Sequence, residues 1–136
     1  MAVLVVDVPF TFSEFVRPVC LPAGPFFIGP GTRCEITKWD DDSQLMIRST
    51  VQIKRCNGQP KDTICTDRQD GEVQNDGVSL VCRIRYNNED VYILAGVARS
   101  NERDVRLYTF IGSIKVWLDS IGECIDGRTE CLALIQ

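Results

Sequence analysis

The sequence has 136 residues, which is enough for one domain with a hydrophobic core and short for two. It carries 15 lysine and arginine residues against 19 aspartate and glutamate residues, a formal net charge of −4, which argues against binding to a nucleic-acid backbone. No apolar run approaches the roughly 18 residues of a membrane helix, and the first residues lack the basic start of a signal peptide, so we expect any secretion signal to lie outside this chain.

Short apolar or alternating segments dominate the first half of the chain. Residues 1–8 are β-branched and apolar up to Pro9, which is typical of a buried strand. Residues 18–32 hold four prolines and three glycines, which predicts an irregular linker. Alternation of apolar and polar residues then predicts strands over 33–39 and 49–56.

The second half of the chain predicts three more strands and one helix. Polar loops cover 57–63 and 67–77, and strand patterns follow over 78–86, 90–98 and 105–111. After the last strand, apolar residues recur at helical spacing and form one stripe, at Ile114, Trp117, Leu118 and Ile121. Strands joined by turns, with one terminal helix, indicate an antiparallel barrel or sandwich.

Seven cysteines are many for a chain of this length. None falls in a C-x-x-C pair and the sequence has no histidine, so a zinc site would need four scattered thiolates. Disulfide bonds formed in an oxidising compartment are the favoured interpretation. Because seven is odd, at least one thiol is free or bonded to another chain; the seven are Cys20, Cys34, Cys56, Cys65, Cys82, Cys124 and Cys131.

A series of segments, taken in chain order, resembles the second half of trypsin-like serine proteases. "FSEFVRPVCLP" resembles the linker between that family's two barrels, "GTRCEITKWD" its G-T-x-C-x-x-T-G-W-G strand, and "QNDGVSLVC" its G-D-S-G-G-P-L-V-C segment. "YILAGVARS" is similar to the strand leading to the substrate-binding edge, and "LYTFIGSIKVWL" to the closing strand and terminal helix. The resemblance spans residues 1 to about 121.

The resemblance implies an all-β fold, an antiparallel Greek-key barrel with a C-terminal helix. By this alignment residues 1–8 are a strand of the first barrel and residues 9–32 are the linker between the barrels. Residues 33–121 form the second barrel and its helix, and residues 122–136 are an extension that holds Cys124 and Cys131.

The catalytic positions of the family are altered in this sequence. Aligned on the "LVC" segment, Asp76 stands at the serine nucleophile, Asn75 at the preceding aspartate and Gln74 at the oxyanion-hole glycine. Peptide hydrolysis in this family needs a serine, a histidine base and backbone donors for the oxyanion. With no histidine in the chain, we expect no catalytic residue here. Asp76 also fits a plain turn with Gly77 behind it, and an acquired role in ligand binding stays open.

The substrate pocket is altered in the same way. Asp70 aligns with the base of the pocket, but Ser100 stands where a tryptophan forms the wall and Asn101 where a glycine lets substrate approach. Glu72 replaces one cysteine of the pocket's disulfide, and its partner is missing too. The acidic runs could hold calcium, yet they lack the spacing of a dedicated loop, so no metal or cofactor is predicted.

The resemblance also implies a disulfide pattern. Cys34 should bond to Cys82 and Cys56 to Cys65, while Cys124 and Cys131 can close a small local loop. Cys20 is then left over, because its family partner lies upstream of this sequence. We expect Cys20 to bond to another chain, with a buried free thiol as the alternative.

These features together predict a secreted, non-catalytic serine protease homologue that acts by binding proteins, as a cofactor, a decoy or an assembly subunit. Its partner is expected to be another polypeptide, most simply an N-terminal protease-like half. Two alternatives stay open. The chain could be the C-terminal part of a serine endopeptidase completed by another polypeptide, or a structural subunit of an extracellular assembly.

Overall fold

A computed structural model gives the arrangement of the chain. It describes residues 1–4, 6–22, 28–40, 42–67, 77–102 and 105–124. For residues 100–102 and 121–124 only the backbone is described.

Six antiparallel strands close into one barrel, in the order β1-β2-β3-β6-β5-β4. The fourth strand returns to lie beside the first, which is the Greek-key arrangement. The predicted fold class is therefore confirmed. The strands are β1 Arg33–Asp40, β2 Leu45–Lys54, β3 Thr63–Asp67, β4 Ser79–Tyr86, β5 Glu89–Glu102 and β6 Val105–Phe110.

The core of the barrel is built from the inward residues of alternating strands. Ile36 of β1, Leu80 of β4 and Ile93 of β5 are fully buried, with polar or half-exposed neighbours on either side. Strands β5 and β6 approach closely at Gly96, where an added Cβ would lie 2.9 Å from the Cβ of Tyr108. A side chain at this position would therefore overpack the core.

The bond between Cys34 and Cys82 joins β1 to β4 at the point where the barrel closes. The two residues are direct register partners, with their Cα atoms 4.1 Å apart, and both are buried. A second disulfide joins Cys56 to Cys65, at the start of β3. Both pairings are those that the resemblance implied.

The predicted strands and the observed ones differ in three places. Strand β3 is absent from the sequence-based prediction, which recognised only loops around it. Strand β2 begins at Leu45, before the predicted start at residue 49, and β5 continues to Glu102. Both extensions occur because the additional residues pair with a neighbouring strand. Those of β2 pair with β1, and those of β5 pair with β6.

The C-terminal helix is confirmed. A 3₁₀ turn over Ile111–Ile114 leads into α1, Lys115–Cys124, directly after β6. Phe110 at the junction has an extended backbone, so the chain changes direction in one residue. Ile111 is buried and anchors this end against the barrel.

That residues 1–8 are a strand of the first barrel stays a prediction. Residues 1–4 and 6–8 have no strand pairing, because none of the described residues of the barrel offers them an edge. We call residues 1–19 the arm. Its large apolar side chains are exposed, with Leu4 at 90% and Phe15 at 87% exposure.

The expectation that Cys20 bonds to another chain is wrong. Cys20 is already in a disulfide bond in this chain. It is buried at the end of the arm, where it bridges to Ile93, and its carbonyl accepts a hydrogen bond from the Leu94 N–H at 2.9 Å. The suggested bond between Cys124 and Cys131 lies outside the described residues.

Replacing both Cys34 and Cys82 by alanine is expected to lower the free energy of unfolding by about 4 kcal/mol, because the bond closes a loop with a sequence separation of 48. The matched control replaces Cys56 and Cys65, whose separation is 9. There the loop-closure entropy predicts a smaller loss, of about 3 kcal/mol. Urea unfolding measures both. A larger loss in the control would contradict the role assigned to the first bond.

Candidate functional site

The segment that follows the position aligned with the family's nucleophile is hydrogen-bonded to β5. The Gly77 N–H donates to the Ala98 carbonyl at 2.9 Å, and the Ala98 N–H donates to the Val78 carbonyl at 2.9 Å. Gly77 has a φ of +83°, a conformation that favours glycine. The chain therefore enters β4 through a sharp turn beside the middle of β5. Gln74, Asn75 and Asp76, which precede this turn, lie outside the described residues, as do Asp70 and Glu72.

Two residues predicted to line the substrate pocket lie farther along the same strand. The backbone of Ser100 pairs with Leu107, and that of Asn101 pairs with Arg106. A β-bulge between Ala98 and Ser100 precedes them. The structure thus brings Ser100 and Asn101 to the same end of β5 that receives Gly77.

Arg99, within this bulge, is a residue that the sequence did not single out. Its Nη2 donates to the Thr63 Oγ1 at 3.1 Å. Thr63 is a buried residue at the start of β3, so the contact reaches across β6 from β5 to β3. A long side chain with a fixed donor here ties the bulged part of β5 to the barrel. The signal available in the sequence was only its position before Ser100.

An apolar cleft of about 480 Å³ opens beside Gly77 and Ala98. Its walls come from the first three residues of the arm and from the linker, β5, the 3₁₀ turn and α1. None of the described residues that line it has an ionisable side chain. Its surface suits packing of apolar groups; the main contributors are Leu21, Leu94, Val97, Ile111 and Leu118.

The described residues form neither a cluster that could hold a metal ion nor a membrane-spanning helix. Among them, no three histidine, cysteine, aspartate or glutamate side chains come together as a metal site. Within the same ranges, no helix is both long and apolar enough to span a membrane.

A sequence model of the Trypsin family matches residues 1–105 of the chain. The chain belongs to the trypsin family. The pairing of Gly77 with Ala98 and the Cys34–Cys82 bond thus lie in a barrel of a trypsin-like fold; that it is the family's second barrel stays a prediction. Solved structures support the same architecture.

Human heparin-binding protein HBP matches 90% of this chain and 57% of its own length, with a TM-score of 0.69 and 19% identity. Kallikrein-related peptidase 10 matches with a TM-score of 0.61 and 19% identity, over 85% of this chain and 61% of that one. An inactivated protease paralogue of the scabies mite matches with a TM-score of 0.59 and 16% identity, over 77% of this chain and 52% of that one. The chain thus spans little more than half the length of the structures it matches.

A hairpin of this barrel projects beyond the other strands. We call residues 37–40 and 45–48 the ribbon, the outer part of the β1–β2 hairpin. At its tip the Asp40 carboxylate accepts hydrogen bonds from the Ser43 hydroxyl and, at 3.1 Å, from the Ser43 N–H. These bonds and, more weakly, the charge of Lys38 hold the pKa of Asp40 below its ordinary value.

We expect the Asp40 carboxyl to titrate below the 3.8 of an unperturbed aspartate. Because its pKa is lower in the folded state, its bonds to Ser43 stabilise the fold above that range, and this is lost as pH falls through the folded pKa. Ser43→Ala should move the pKa toward 3.8, since it removes the largest cause of the shift. Carbon-detected NMR titration measures both. An unchanged pKa in the variant would contradict the assigned cause.

Proposed function

We propose that this chain is a non-catalytic serine protease homologue that acts by binding another polypeptide. The observation that carries the proposal is the apolar cleft, which opens beside Gly77 and whose described lining residues have no ionisable side chain. In an active member of the family, this turn would follow the serine nucleophile. Here the preceding position is Asp76, and the chain has no histidine to act as a base.

The chemistry of Asp76 supports the loss of hydrolysis. A carboxylate at the nucleophile position brings negative charge to the place where an oxyanion must be stabilised. Gln74 adds a Cβ where the family has glycine, and Asn75 lacks the charge needed to pair with a cation. Ser100 replaces the tryptophan that forms the pocket wall and Asn101 replaces the glycine that lets substrate approach, so both changes disfavour substrate binding. We therefore propose that the site has lost both catalysis and substrate binding.

The arm is the element that we propose to meet the partner. Besides Met1, nine of its large apolar side chains are exposed, which is unusual for a soluble domain unless another surface covers them. Residues 1–3 line the cleft, so a partner that covers the arm would reach the cleft as well. A protease-like N-terminal half is the simplest such partner. The exposed residues are Val3, Leu4, Val6, Val8, Phe10, Phe12, Phe15, Val16 and Val19.

An extracellular location fits the covalent structure. Two disulfides close the barrel and its β3 entrance, and a third bond involves Cys20. Bonds of this kind persist in oxidising compartments and are rare in the cytosol. We therefore propose that the protein is secreted and meets its partner outside the cell.

The purified chain is expected to show no covalent labelling by a fluorophosphonate and no hydrolysis of arginine or lysine esters. Asp76→Ser should also be inactive, because the members of a catalytic triad act as a unit and one restored member contributes little. Active trypsin at equal concentration is the control. Labelling of the native chain would favour the alternative that it is part of a serine endopeptidase.

Substitutions in the arm test whether its apolar side chains serve the barrel or a partner. Leu4→Ser and Phe15→Ser should each change the free energy of unfolding by less than about 0.5 kcal/mol, since both side chains are exposed. Leu80→Ser, in the core, is the contrasting control and should unfold the barrel. A clear loss of stability in the arm variants would show that the arm packs on its own barrel.

A further inference from the structure

The ribbon leaves the barrel with no third strand beside it. Strand β1 pairs with β4 only over Cys34–Ile36, and β2 pairs with β3 only at Ile53 and Lys54. Outside these short pairings, the described parts of the two strands pair only with each other. The ribbon is therefore a two-stranded projection with both faces open, a form that is marginal in water unless something supports it.

Both faces of the ribbon carry exposed apolar side chains. Trp39 and Met46 are direct partners on the outer face, at 52% and 66% exposure. Leu45 and Ile47 lie on the opposite face, the one that continues the barrel interior. Single exposed apolar residues are ordinary on a protein surface, but four adjacent ones on one projecting element indicate an interaction surface.

The geometry of the ribbon is nevertheless fixed. The pairing of β1 with β2 runs without a bulge from Arg33 to Asp40. The Asp40 carboxylate ties the turn through Ser43, and Arg48 lies 3.6 Å from the Glu35 carboxylate on the outer face. An exposed hairpin held in one shape loses little conformational entropy on binding.

The charge at the tip selects the kind of partner. Asp40 and Asp42 flank the apolar residues, and the sequence places Asp41 between them. On the outer face Arg48 is already paired with Glu35, which leaves negative charge in excess at the tip. Cations are favoured beside these carboxylates, and an exposed indole such as that of Trp39 attracts a guanidinium or ammonium group to its face.

We propose that the ribbon is a docking surface for an extended protein segment that carries arginine or lysine beside apolar side chains. Its apolar residues cover Trp39 and Met46, and its cations reach the carboxylates of Asp40 and Asp42. This surface is separate from the arm and the cleft. The inference deepens the proposed binding role by naming a second surface and the chemistry of its partner.

Two short blocked peptides test the charge preference on the full 136-residue chain. One alternates arginine with valine, and the other alternates glutamate with valine. Calorimetry should give a dissociation constant at least about tenfold lower for the cationic peptide, with an affinity that falls as salt rises. In NMR spectra of the native chain, the shifted amides should be those of residues 37–40 and 45–48. Equal affinity for the two peptides, or shifts elsewhere, would overturn the proposal.

Variants separate the ribbon from other surfaces. Trp39→Ser combined with Met46→Ser should abolish binding of the cationic peptide, and Asp42→Lys should weaken it by about fivefold or more. Tyr92→Ser is the matched control, because Tyr92 is an exposed aromatic residue of β5 and should leave binding unchanged. Full binding by the double variant would contradict the proposal.

Sedimentation of the native chain tests a second copy as the occupant. We expect no self-association that depends on the ribbon. A dimer that dissociates on Trp39→Ser with Met46→Ser would assign the surface to self-association and overturn the proposal. Leu4→Ser and Phe15→Ser in the arm should leave peptide binding intact, so failure here is distinguishable from failure of the proposed function.

Discussion

The pairing of β1 with β4 is the interaction on which the rest of the structure depends. It joins strands that are far apart in the sequence, and the Cys34–Cys82 bond fixes it at direct register partners. The barrel closes through this contact, so the burial of Ile36 and Leu80 follows from it. Long-range pairing of this kind is costly in loop entropy, which is why a covalent bond at this point is effective.

The closed barrel explains why the two projecting elements differ from the rest of the chain. Every strand of the barrel finds two neighbours, and its inward side chains are covered. The arm and the ribbon extend beyond this closed unit, and both expose large apolar side chains. The binding surfaces that we propose therefore lie on these two segments.

The sequence predicted those elements whose burial alternates. In β1 and β4 the buried residues recur at every second position, so both strands were recognised. In β3 four consecutive residues from Thr63 are buried, which removes the alternation that marks a strand. In the arm the β-branched residues favour a strand, but none of the described strands pairs with it. Counting cysteines could not assign Cys20, because an odd number does not say which one is left over.

We propose that the barrel is a self-sufficient folded unit and that the arm binds a partner. Native-state hydrogen exchange of the purified chain tests this most directly, because it measures the opening free energy of each amide. The amides of Ile36, Cys82 and Ile93 should exchange only through global unfolding, whereas those of Leu4, Val6 and Val8 should exchange as freely as in an unfolded peptide. Protection of the arm equal to that of β1 and β4 would contradict the account.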